Sequence, residues 1–247
     1  MTPAARRGAL ALLALALLAG CAGAPSDAQL NAEATYDWET DAAATYDVRG
    51  DRFRALYRVD AGQSVAIYQT VDLGGETALP ISGLRFRYPN GSVLRPDGTL
   101  ETAGGERRPG AALAVEQRDE RTVVTAPADG RLAYTAPTQF KHFHVPILVE
   151  GSHEVVLPPD TRISVPILGL ASPGGYERTI EDGRVHLRWG QTPSEAIDLQ
   201  YYLQRDLYIY GGLVGALLLA AVGGTLYYRR QIRALERHRE EAGIDVE

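Results

Sequence analysis

A mainly β architecture followed by one C-terminal transmembrane α-helix is what this chain predicts, and three observations carry the prediction. Apolar and polar residues alternate with a period of two through most of residues 45–206. Turn signals separate the alternating runs. A run of 22 residues, 207–228, has no charge. As a helix it reaches roughly 33 Å at about 1.5 Å per residue, enough to cross a hydrocarbon core of about 30 Å.

The N-terminus reads as an export signal over residues 1–21. Arg6 and Arg7 form a basic n-region, residues 8–19 are apolar, and Leu18-Ala19-Gly20-Cys21 closes the stretch. So short an apolar run suits a signal better than a spanning helix. The closure resembles a lipobox, which implies lipidation of Cys21; the alternative is an incidental thiol in an uncleaved anchor. Cys21 is the single cysteine, so no disulfide is available. Arg6-Arg7-Gly8-Ala9-Leu10 also resembles a twin-arginine signal, against an ordinary basic n-region.

Residues 22–44 are rich in Ala, Asp, Glu, Ser and Thr with no sustained apolar period, and read as a flexible tether. Alternation begins with Phe53, Ala55, Tyr57 and Val59 against Arg52, Arg54, Leu56, Arg58 and Asp60. It recurs with Leu84, Phe86 and Tyr88; with Val185, Leu187 and Trp189; and with Ile197, Leu199 and Tyr201. Further strand-like runs are 64–71, 112–117, 121–125, 131–135, 140–149, 154–157, 162–168 and 176–181. Pro89-Asn90-Gly91, Pro96-Asp97-Gly98, Ala128-Asp129-Gly130 and Glu181-Asp182-Gly183 mark turns. Residues 97–110 read as the longest loop. About a dozen short strands without an ordinary helix predict an antiparallel β-sandwich of immunoglobulin-like kind over 45–206. It is either one large unit or two small ones divided near Pro137.

Residues 22–206 contain 18 Lys and Arg against 26 Asp and Glu, a formal charge of −8. So acidic a surface argues against nucleic acid as a partner. Lys141 is the single lysine. Acidic excess with so little lysine resembles proteins of halophilic archaea; a GC-rich genome that favours arginine codons is the bland alternative.

Only Gln204, Arg205 and Asp206 separate the last strand from the spanning segment, which predicts a domain seated at the membrane surface. Tyr201, Tyr202, Tyr208 and Tyr210 are then expected at one interface, and Tyr227 and Tyr228 at the other. Arg229, Arg230, Arg233, Arg237 and Arg239 place the tail, 229–247, in the cytoplasm. The tail reads as a continuing helix stopped at Gly243, too short for a catalytic domain. Within the span Gly212, Ala216, Ala220 and Gly224 recur every four residues, a candidate packing face for a helix partner or a homo-oligomer. The alternative is that small residues merely fill the span.

Chemistry is sparse. His142 and His144 lie two apart on an expected strand, with Glu150 on the same parity and His153 beyond. Transition-metal binding there is weighed against exposed or hydrogen-bonded histidines, and the second is preferred. The run resembles the His-x-His part of a cupin motif, but its carboxylate spacing departs from that pattern and its glycine is missing. No Gly-x-Ser-x-Gly elbow, Ser-x-x-Lys, Walker loop or dinucleotide fingerprint is present. No catalytic residue, metal or cofactor is assigned. Asn90-Gly91-Ser92 makes Asn90 an N-glycosylation candidate, or simply a turn.

Arg6-Arg7, the lipobox at Cys21, the acidic β-rich domain and the run from Tyr201-Tyr202 to Tyr227-Tyr228-Arg229-Arg230 together resemble an uncharacterised group of haloarchaeal membrane-anchored surface proteins. The resemblance implies a location and no activity. The expected function is a non-enzymatic surface module that binds a partner or envelope component at the outer membrane face. The alternatives are an accessory subunit of a transport, secretion or respiratory complex, and an anchored hydrolase.

Overall fold

The computed structural model describes residues 24–71, 74–165, 168–191 and 196–241, with side chains through 233 and at 235. The chain divides into two compact units, residues 1–201 and 202–247. In the first, eighteen strands follow a short helix, α1 (Asp27–Leu30), among the described residues. They are β1 (Ala44–Arg49), β2 (Arg52–Val59), β3 (Ser64–Thr70), β4 (Glu76–Ala78), β5 (Ser82–Arg87), β6 (Val93–Leu94), β7 (Thr99–Glu101), β8 (Arg107–Pro109) and β9 (Ala114–Gln117). Then come β10 (Thr122–Thr125), β11 (Gly130–Pro137), β12 (His142–Pro146), β13 (His153–Val156), β14 (Thr161–Arg162), β15 (Leu170–Ser172), β16 (Glu177–Glu181), β17 (Arg184–Trp189) and β18 (Ala196–Gln200).

A ten-stranded sheet in the order β16-β17-β13-β1-β2-β11-β5-β6-β7-β8 forms the frame, and smaller sheets run β4-β3-β10-β9 and β12-β18-β15. Pairing within the ten-stranded sheet is antiparallel among the described residues except between β1 and β13, where Tyr46 lies opposite Val155 in a parallel ladder. The frame uses strands from both sides of Pro137, and one buried cluster runs from Leu30 to Tyr201. The strands on either side of Pro137 thus share one sheet and one buried cluster, with β13 paired to β1.

Alternation produced the expected faces. Phe53, Ala55, Tyr57 and Val59 are buried on β2, and Val185, Leu187 and Trp189 on β17. The layers meet through aromatic rings. Phe143 of β12 packs edge-on against Phe53 at 5.2 Å and tilted against Tyr46 at 5.6 Å, while Val65 and Ile67 of β3 join the same core. Such ring pairs add about 0.5–1.5 kcal/mol beyond the area they bury. Tyr201, expected at a lipid interface, is a core residue whose N–H donates to the Lys141 carbonyl. Its place in the Ile197, Leu199, Tyr201 alternation was the better guide.

Residues 26–43, expected as part of a flexible tether, are a strap across β5, β11 and β2. Ser26 and Gln29 form a capping box that starts α1, and Leu30 is buried. Tyr36 packs with Leu56 and Ala133 on the face of the sheet opposite Tyr57, and Trp38 lies partly buried beside it. Burying a leucine-sized side chain is worth about 1.5–3 kcal/mol. Fixing backbone costs about 1–2 kcal/mol per residue, so apolar anchors alone do not hold the strap. Polar ties add to them: Arg85 donates to the Ala32 carbonyl at 2.7 Å, Arg131 to the Thr40 carbonyl at 2.9 Å and Arg58 to the Asp41 carbonyl at 3.0 Å.

The loop expected over 97–110 contains a hairpin, β7 against β8, with Leu100 opposite Arg108. Its strands are too short and too exposed to show a period. At the other edge, Arg184 reaches the Asp47 carboxylate and the Leu157 and Val48 carbonyls, and Glu154 accepts from His186 and Arg188.

The second unit holds β19 (Tyr202–Leu203) and α2 (Gln204–Glu241). Within it, residues Gln204–Arg233 are long and apolar enough to cross a membrane. Asp206 accepts from the Leu203 N–H at 3.1 Å, placing negative charge in the first turn. Residues 242–247, including Gly243, lie outside the described part.

Candidate functional site

Residues two apart on a strand share a face, so Phe143 and Val145 enter the core while His142 and His144 point the other way. Antiparallel pairing sets His144 opposite Asp198 on β18 and His142 opposite Gln200. The Asp198 carboxylate thus falls between the two rings. His144 Nδ1 lies 3.1 Å from Oδ2, and His142 Nε2 lies 3.3 Å from each carboxylate oxygen. A carboxylate only accepts, so both facing nitrogens carry protons. The other nitrogen of His144, Nε2, is 3.0 Å from Thr70 Oγ1 at the end of β3; in the neutral ring it accepts, and the threonine hydroxyl donates.

These groups rim a cleft of about 590 Å³ between the ends of β3 and β12. Its walls include Leu79, Val145 and Leu148, with Gln69, Thr138 and Gln139 as neutral hydrogen-bonding groups. Tyr57 and Tyr134 also line it, with their hydroxyls 2.9 Å apart. Burial pushes both phenol pKa values well up, so they act as neutral hydroxyls. Among the described lining residues Asp198 is the one carboxylate, and Lys and Arg are absent. Arg121 lies over the ring of Tyr68, another lining residue, and is paired with Glu76.

The metal-like grouping weighed from the sequence is not assembled. His153 is buried, its ring stacked on Tyr46 at 6.3 Å, and its Nδ1–H donates to the Gly151 carbonyl. Burial lowers its pKa, and that backbone bond opposes the shift in part. Among the described residues no group of three His, Cys, Asp or Glu side chains is placed to hold a metal ion. Thr70, His144 and Asp198 do stand in the order hydroxyl, imidazole, carboxylate. The side chains of His144 and Asp198 are 35% and 40% exposed. The series joins β3 to β12 and β18.

Asp198 and Thr70 escape sequence reasoning because register brings them to the histidines. Asp198 is the polar residue between Ile197 and Leu199, as an outward position requires, and nothing local pairs it with His144. Asn90 stands exposed in a turn, its Oδ1 accepting from the Ser92 N–H at 3.0 Å. Gly212, Ala216, Ala220 and Gly224 fall along one side of α2, drifting about 40° per four residues. Cys21 lies outside the described residues, as does the whole export signal.

Comparison with known proteins returns a family and nothing finer. A model described as a family of unknown function, DUF5803, matches residues 40–247, from the end of the strap onward. No curated protein matches, and no solved structure matches.

Proposed function

The chain belongs to the DUF5803 family, and since membership brings no activity with it, we propose a function from the cleft: a membrane-anchored module that binds rather than catalyses. The domain stands outside the cytoplasm, held by α2 and by a lipid on Cys21, and engages an envelope component through the face where β3 meets β12. One observation carries this reading. The cleft combines apolar walls with a few convergent polar groups, the make-up of a small-ligand site, while its histidines are engaged by Asp198 and Thr70. Positive-inside asymmetry at Arg229 and Arg230 supports the orientation. The acidic, lysine-poor composition supports a haloarchaeal setting.

Hydrogen exchange on the full chain in lipid nanodiscs, with and without a soluble extract of the cell envelope, tests the binding role. Slower exchange at residues 68–71 and 138–146 is expected. Unchanged exchange there, or protection confined to other segments, sinks the proposal. Protease added to intact cells tests the orientation, and a domain that survives it while being digested in opened cells overturns that part.

A further inference from the structure

We propose that the cleft between β3 and β12 takes an organic cation bearing N–H groups, an alkylammonium or a guanidinium; this rests on the reading of the domain as a binding module. Hydrogen-bond polarity decides the class. Asp198 engages the N–H groups of His142 and His144, which leaves the opposite ring nitrogens as lone pairs in the neutral imidazoles. His144 Nε2 takes the Thr70 proton, so the threonine oxygen offers only lone pairs to a ligand. His142 Nδ1 is likewise an acceptor, and the carboxylate keeps accepting capacity beyond its two imidazole bonds.

The rim is thus rich in acceptors. Gln69 and Gln139 bring donors and acceptors alike and discriminate little. Charge points the same way: Asp198 supplies negative charge, no Lys or Arg lines the cleft among the described residues, and Arg121 nearby is engaged by Glu76. An anion would face repulsion and find no cationic donor. A neutral alcohol could donate to Asp198 but would bring no opposite charge to it. The cation's N–H groups meet Asp198 and Thr70, and its alkyl body lies on Leu79, Val145 and Leu148.

The full chain in nanodiscs, labelled at its 5 histidines, is titrated with n-butylammonium, and in parallel with butyrate and n-butanol. Ring resonances are followed by NMR and assigned with single His→Gln variants. Butylammonium is expected to shift the His142 and His144 signals saturably, leaving His153 and His186 unmoved. Asp198→Asn is expected to weaken the effect by about tenfold or more, since a bond to a charged group is lost. Thr70→Val, which keeps the side-chain shape, should weaken it by a smaller factor and shows that the cleft survives mutation. Butyrate or butanol acting as strongly as butylammonium overturns the cationic class while leaving the cleft a binding site. So does full affinity in Asp198→Asn. Silence from all three probes also overturns the class, and the exchange experiment with envelope extract then decides the binding role separately.

Discussion

The Tyr36 hydroxyl donates to the Gly83 carbonyl across 2.8 Å, so a residue of the N-terminal strap is fixed to the backbone of β5. Gly83 has φ +63°, and a Cβ there would stand 2.5 Å from the Cβ of Ala34. Gly83→Ala therefore adds both backbone strain and a clash that only strap displacement relieves. A loss of about 1–3 kcal/mol is expected, with faster amide exchange over residues 30–38. Gly62→Ala is the control, because its φ is +78° but nothing lies within 4 Å of the added carbon. It should cost less and leave strap exchange unchanged. Equal losses in the two variants, with a quiet strap in both, would show that close packing at Gly83 does not hold the strap.

Beneath the cleft, Tyr57 and Tyr134 share a hydrogen bond in a fully buried setting. Removing one hydroxyl leaves the other without that partner, at about 1–3 kcal/mol; removing both deletes the need along with the bond. Thermal melts of Tyr57→Phe, Tyr134→Phe and the double variant should show a double loss clearly smaller than the sum of the singles. Strict additivity would mean that the hydroxyls are stabilised independently of each other.

How much of this was legible in the chain depended on range. Phe53, Ala55, Tyr57 and Val59 announced their face because a strand repeats every two residues, whatever it later pairs with. Leu30, Tyr36 and Trp38 gave no such signal. Each is an isolated apolar residue in polar surroundings, and its burial comes from contacts with β5, β11 and β2 that no local period encodes. Arg85 belongs with them: it reads as the polar partner in the Leu84, Phe86 alternation, yet it is 3% exposed because the strap covers it. The cleft was half legible. The shared face of His142 and His144 follows from spacing, whereas Asp198 and Thr70 arrive through pairing across more than fifty residues.

His153 gives the domain a pH dependence whose sign is fixed by its lowered pKa. Burial disfavours the imidazolium in the folded chain, so between the folded value and the ordinary value of about 6.5 the unfolded chain binds more protons. The stability tied to the neutral ring is complete above about pH 6.5 and falls as pH drops toward the folded pKa. His153→Phe keeps a ring against Tyr46 without titrating. Its melting temperature should decline less steeply than that of the wild type across this window. Identical slopes would mean that His153 is as readily protonated folded as unfolded.

The proposed anchoring, by α2 and by a lipid on Cys21, has two parts that variants can isolate. Leu218 lies near the middle of the apolar stretch of α2 and is exposed on the isolated helix. An arginine at the centre of a spanning helix costs about 2.5–3.5 kcal/mol on insertion scales. Cys21→Ser removes the acceptor for a lipid but leaves the helix, so that chain should remain in the alkali-washed membrane pellet. Leu218→Arg alone should stay membrane-bound through a lipidated Cys21, which on its own is a weaker hold than a full span. Only the double variant should move largely into the soluble fraction. Release of Leu218→Arg with Cys21 intact would show that a lipid on Cys21 does not by itself hold the chain to the membrane. Retention of the double variant would point to a third contact with the membrane, for which the arginine-rich start of the tail is the candidate.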